Sequence, residues 1–161
     1  LPAISYAIAA LAAREFLPGN MMLWKHIRHF NRAEKWGDPN KINGFLLLTM
    51  DALRDIWQSP FVIHCAYDLS GHSANSQHYL GNACDFHIED GEPFNLQVAV
   101  MARFLEKFQV ADRVGLGIYP DWRNPGFHLD VRGQKARWGR INNKYVSFLE
   151  AKTYARIKGG Y

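Results

Sequence analysis

Two short stretches of the chain hold side chains able to assemble a metal centre. The first is Ser76-Gln77-His78-Tyr79-Leu80-Gly81-Asn82-Ala83-Cys84-Asp85-Phe86-His87, and the second is Gly126-Phe127-His128-Leu129-Asp130-Val131. A hydrolytic zinc site takes three protein ligands, commonly imidazole nitrogen and carboxylate oxygen, and keeps the fourth tetrahedral position open. His78, Asp85 and His128 supply that set. Gly81, between the first two, can adopt the positive φ that a sharp turn back toward an ion requires. Zinc held this way lowers the pKa of its water to about 7 and polarises a carbonyl, so amide hydrolysis at neutral pH is the expected chemistry.

Peptide hydrolysis also needs a group that takes a proton from the attacking water and returns it to the leaving amine. Asp130 is assigned as this catalytic residue. It lies two positions beyond His128 on an extended segment and therefore shares its face. The same placement suits the alternative role of orienting the His128 imidazole. Asp121 and His87 are the reserve candidates. His26, His29, His64 and His72 read as structural histidines, and Cys65 and Cys84 as two free thiols buried among apolar neighbours. They could pair only if their Cα atoms lay within about 7 Å.

The pattern Ser76-x-His78-x-x-Gly81-x-Ala83-x-Asp85-Phe86, followed later by Phe127-His128-x-Asp130-Val131, resembles the M15 peptidases. That group contains zinc D-alanyl-D-alanine carboxypeptidases and phage L-alanyl-D-glutamate endopeptidases, and shares a fold with the hedgehog signalling domain. The resemblance runs from about His29 to Trp138, taking in Phe30-Asn31-Arg32-Ala33-Glu34 and Gly115-Leu116-Gly117-Ile118-Tyr119-Pro120. It implies zinc as cofactor and peptidoglycan stem peptides or their cross-links as substrate. It also implies a place at the bacterial cell envelope or release to the wall from a phage. Trp138 matches a tryptophan found after the second motif in some relatives, where it could line the cleft or simply pack.

Two departures matter. Relatives often carry an acidic residue or a histidine two or three positions before the second ligand histidine, where this chain has Pro125 and Gly126. Many also carry an arginine after a Ser-Gly-Tyr, where this chain has Cys65-Ala66-Tyr67-Asp68. The reversed charge at Asp68 removes the expected clamp for a terminal carboxylate and favours an endopeptidase. Arg123, Arg132 or Arg137 could supply the missing cation, with Arg132 and Trp138 taken as the substrate-binding pair. The first alternative is a metal-bound but inactive wall-binding or partner-binding module of the same fold. A zinc amidase cutting the sugar-to-peptide bond is a third reading.

At 161 residues, 48% of them apolar and 14% aromatic, the chain suits one domain with a packed core. The expected parts are an N-terminal helical extension over 1–28, a family-like core over 29–138 and a C-terminal helix over 139–161. The net charge of +4 is scattered and carries no nucleic-acid-binding motif, so the expected partner is the anionic wall, with the protein a monomer. The basic group Lys25, His26, Arg28, His29, Arg32 and Lys35 reads as a solvated face. Leu1 to Ala13 is apolar but too short to span a bilayer, and is expected to form a helix ending near Pro18-Gly19.

The fold expected to position the ligands is α+β, with a small antiparallel sheet, helices on one face and the zinc cleft on the other. Asn31 and Glu34 form a capping box for a short helix that Gly37-Asp38-Pro39-Asn40 ends. Leu46, Met50, Leu53 and Trp57 stripe a helix over 45–58 whose Asp51, Arg54 and Asp55 face outward. Strands are expected at 61–67 and 83–88, the latter with Asp85 and His87 on one face and Cys84, Phe86 and Ile88 on the other. Leu96, Val100, Phe104 and Phe108 stripe a helix over 95–108. A last helix over 144–157 packs Tyr145, Phe148, Leu149 and Ala155.

Overall fold

The computed structural model describes residues 21–159. The expected helix over Leu1 to Ala13 lies outside them. In chain order the elements are α1 (Met21–Trp24), α2 (Gly44–Trp57), β1 (Phe61–Cys65), a 3-10 turn (Gln77–Leu80), β2 (Ala83–Ile88), α3 (Phe94–Lys107), β3 (Gly115–Tyr119), β4 (Gly126–Asp130), β5 (Ala136–Ile141), β6 (Lys144–Val146) and α4 (Phe148–Lys158). This is an α+β architecture around one six-stranded sheet of order β1-β2-β4-β3-β5-β6. The sheet is mixed rather than antiparallel, because β3 and β5 run parallel. The chain reaches β5 through residues 131–135, which step past the start of β3 instead of making a hairpin with β4.

Alternation along the strands sorts the side chains into two faces. Phe61, Ile63, Cys84, Phe86, Ile88, Leu116, Ile118, Phe127 and Leu129 are buried in one continuous apolar core. Aromatic contacts tie that face to the helices: Trp57 meets both Phe61 and Phe104, and Phe94 meets Phe127, with centroids 5.0 to 5.8 Å apart. The opposite face carries a transverse row in which Asp85 pairs with His128, His128 with Gly117, and Gly117 with Trp138. The next row pairs Asp130 with Gly115.

Several local expectations are corrected. α2 is buried on all sides along its first ten residues, so Asp51 points inward, where Oδ1 accepts from the Arg28 and His29 amides. An otherwise isolated buried carboxylate needs such donors. Glu34 accepts from the Asn31 amide as a capping box requires, but Asn31 Oδ1 accepts from Ala33 instead of Glu34, and the bonds close a turn rather than a helix. In α3 the buried stripe is Val98, Met101 and Leu105, while Leu96 is exposed. The expected helix over 144–157 is instead strand β6 followed by α4, because Ser147 caps the helix by accepting from the Glu150 amide. Tyr145 and Leu149 are consequently exposed, and the proposed boundary at 138/139 falls inside β5. No helix among the described residues is long and apolar enough to cross a membrane.

Candidate metal centre

His78 reaches the polar face of the sheet from the 3-10 turn. Ser76 caps that turn by accepting from the His78 amide, and Gly81 ends it in the left-handed region at φ 68°. A Cβ on Gly81 would strike the Lys41 carbonyl, so glycine serves both the turn and the close approach. The His78 ring donates Nδ1–H to the Ala66 carbonyl at 2.6 Å. That bond fixes the tautomer and leaves the Nε2 lone pair facing β2 and β4.

There Nε2 lies 3.2 Å from His128 Nδ1 and 3.4 Å from Asp85 Oδ1, and the last two are 2.8 Å apart. The structure therefore brings His78, Asp85 and His128 together as a largely buried group that could hold a metal ion. Outer bonds of the kind that orient metal-binding imidazoles are in place. Ala66 holds His78, while His128 Nε2 meets Asp130 Oδ2 at 2.9 Å. Two nitrogen donors and one carboxylate suit zinc, so the residues fit the ion that the sequence implies.

Asp130 lies on the far nitrogen of His128, away from His78 and Asp85. Its carboxylate is fully buried and gripped by Arg132 through Nε and Nη2 at 2.7 and 2.6 Å. Gly115, paired with Asp130 across the sheet, has no side chain because a Cβ there would meet that carboxyl group. Gly117 does the same for Trp138, whose ring would lie 2.7 Å from a Cβ. The space lets Trp138 lean over His128, with centroids 5.0 Å apart, and Arg132 covers the Trp138 ring at the same distance.

The three ligand candidates line a cleft of about 670 Å³ walled by Ser73, Gln77, Tyr119, Arg132, Trp138 and Arg140. Tyr119 and Arg140 were not singled out in the sequence. Strand parity could have found them, since each lies two residues from a position in the transverse row. The reserve candidates are engaged elsewhere: His87 contacts His64 and Glu89, and Asp121 accepts from the Asn142 amide. Arg137 binds the carbonyls of Val114, Ala136 and Ala111. Cys84 is buried on the core face, but Cys65 is half-buried beside Asp68 and His72, contrary to the expectation of a thiol among apolar neighbours. Burial and the charges of Asp85 and Asp68 push the Cys65 thiol up to about 12. It is therefore a thiol at neutral pH in the metal-free protein and a poor nucleophile.

Burial opposes a charge on His128, yet its hydrogen bonds to the Asp130 and Asp85 carboxylates outweigh it and raise the imidazole to about 9. Burial also works against charge on Asp85 and Asp130. Asp85 is nevertheless held well below the usual carboxylate range by His128 and His78, and Asp130 by Arg132 and His128. In the metal-free protein the carboxylates contribute stability above about pH 4, lost as pH falls through their depressed values. His128 contributes fully below about pH 6.5, and that contribution is lost as pH rises through about 9.

A metal ion must displace the His128 proton, because only the neutral imidazole ligates. Apparent zinc affinity is therefore expected to rise about tenfold per pH unit from pH 7 toward 9 and then level off. Competition titrations against a chelator at a series of pH values measure this. A flat profile between pH 7 and 9 contradicts the protonated His128.

Comparison of the chain with protein families, curated proteins and solved structures finds no match.

Proposed function

We propose that this chain is a zinc-dependent peptidase acting on peptidoglycan stem peptides or cross-links, with the hedgehog-like fold of the M15 group. The observation that carries the reading is the donor arrangement. His78 Nε2, Asp85 Oδ1 and His128 Nδ1 converge within 3.4 Å of one another at a polar cleft, and each imidazole is held from behind. A zinc ion held there would supply Lewis-acid polarisation of a substrate carbonyl and a water acidic enough to attack it at neutral pH. The remaining residues bind and orient. Trp138 offers an apolar wall, Tyr119 a phenol and Arg140 a cation, while Arg132 serves mainly to neutralise Asp130.

Asp130 acts in this reading as a positioning residue. Its oxygens face His128 Nε2 and Arg132, so its effect on the reacting atoms passes through the imidazole. That observation also gives weight to the second reading, a zinc-bound wall-binding module without turnover. Among the described residues lining the cleft, the only carboxylate is Asp85, already a ligand candidate.

Incubation with purified muropeptides, followed by mass analysis of the products, separates the two. The peptidase reading expects cleavage products that disappear with chelator and return with zinc. Binding without products supports the inactive module. Asp68 turns its Oδ1 onto the Leu69 and Ser70 amides of its own turn, so it offers no clamp for a terminal carboxylate. Internal bonds should therefore be cut in preference to a terminal D-Ala. Free D-Ala as the main product from a pentapeptide stem would reverse that assignment.

A further inference from the structure

We propose that Cys65, Asp68 and His72 form a second metal site, separate from His78, Asp85 and His128, which takes a zinc-class ion of borderline softness. Cys65 Sγ lies 3.7 Å from Asp68 Oδ2 and 3.7 Å from His72 Nε2, and those two atoms are 3.4 Å apart. Zinc bonds of about 2.3 Å to sulfur and about 2.0 to 2.2 Å to nitrogen and oxygen, set at tetrahedral angles, separate such donors by about 3.4 to 3.6 Å. The same three atoms thus stand at ligand spacing before any ion is added.

Each donor is aimed by local structure. In β1, Ile63 pairs with Phe86 but Cys65 pairs with Asp85, so a bulge at His64 breaks the alternation. Without the extra residue Cys65 would follow Ile63 into the core; with it, the thiol turns to the face of Asp85, beside Asp68 and His72. Asp68 spends Oδ1 on the Leu69 and Ser70 amides, which leaves Oδ2 for the cluster. The Tyr79 hydroxyl accepts from the His72 amide and donates to the His72 carbonyl, pinning that loop. The His72 ring stacks on His78 at 4.3 Å with the two planes nearly parallel.

His78 separates the two sites. Its Nε2 faces Asp85 and His128, and although Cys65 Sγ is 3.8 Å from Nδ1, that nitrogen is committed to the Ala66 carbonyl. Asp68 and His72 remain partly exposed, at 44% and 23% of their side-chain surface, which gives an ion a path in and room for a fourth ligand from solvent. A thiolate in the set selects zinc-class and softer ions over magnesium and calcium.

Cobalt(II) titration of the reduced, metal-free full chain tests this, because a thiolate bound to cobalt adds a charge-transfer absorption that imidazole and carboxylate do not. The expected result is two equivalents bound, one of them with that absorption. Cys65→Ser should abolish the absorption and bind one equivalent, and His72→Ala should weaken the absorbing site at least tenfold. Asp85→Ala should keep the absorption and lose the other equivalent. Wild-type protein saturated with cobalt but lacking the absorption overturns the proposal. So does an absorption lost in Asp85→Ala, which would join the cysteine to the first site. One absorbing equivalent that survives Asp85→Ala supports the second site while removing the first.

Discussion

Replacing His128 with alanine is expected to abolish stoichiometric zinc at the main site and, with it, any muropeptide cleavage. His128 Nδ1 is the donor nearest both other ligands, 2.8 Å from Asp85 and 3.2 Å from His78. Removing it leaves two ligands where a hydrolytic zinc site uses three. Loss of an outer partner alone typically costs about 10- to 100-fold in metal affinity or activity, and loss of a ligand should exceed that. The substitution also strips the shared partner from Asp85 and Asp130, so circular dichroism must accompany the metal analysis. His78→Ala, which spares the bond between Asp130 and Arg132, should show the same metal loss. A folded His78→Ala or His128→Ala protein that binds as many equivalents of zinc as the parent would remove the basis of the proposed chemistry.

Replacing Asp130 with alanine should destabilise the fold strongly. Asp130 is fully buried between His128 and Arg132, and deleting one partner of a buried ion pair costs about 3 to 5 kcal/mol because the other charge is stranded. Arg132 retains 28% of its side-chain exposure, so the low end applies. About 3 kcal/mol lowers Tm by roughly 6 to 12 °C in a chain of this size. Asp130→Ala should show that drop in thermal unfolding of the metal-free protein. A change below about 2 °C would mean that Arg132 finds water or another acceptor at no cost.

Asp130→Asn separates positioning from proton transfer. The geometry predicts an affinity for zinc lowered about 10- to 100-fold and turnover largely restored when zinc is saturating. Loss of general-base catalysis would instead leave zinc bound and cut turnover by about a hundred to ten thousandfold.

The face assignments of β2 and β4 were legible in the sequence, because a period of two is set by the backbone alone. Asp85 and His87 opposite Cys84 and Phe86 needed no tertiary information, nor did His128 and Asp130 on one face. The α2 and α3 segments were legible as helices, and Leu46, Met50 and Leu53 were placed in the core as expected. Asp51 and Leu96 were misplaced because tertiary neighbours, not the helical period, decide how far round each helix is covered. The role of Arg132 as the partner of Asp130 needed the course of residues 131–135, which no local pattern encodes. Cys65 was read as a thiol among apolar neighbours and His72 as a structural histidine, because neither residue carries metal-ligand spacing along the chain. A one-residue bulge in β1 puts Cys65 on the face of Asp85, and nothing in Phe61-Val62-Ile63-His64-Cys65 announces it.

The step past β3 divides the cleft along the chain. Every ligand candidate of the main site precedes residue 131, while Arg132, Trp138, Arg140 and Tyr145, which form much of the cleft's far wall, all follow it. The later segment joins the sheet through β3, and α4 packs onto β5, where Gly139 lets Ala151 approach the strand. β5, β6 and α4 can therefore dock as a block onto a β3–β4 hairpin that already presents His128 beside Asp85. The residues that could hold an ion and those that shape the far wall of the cleft thus belong to successive stretches of the chain.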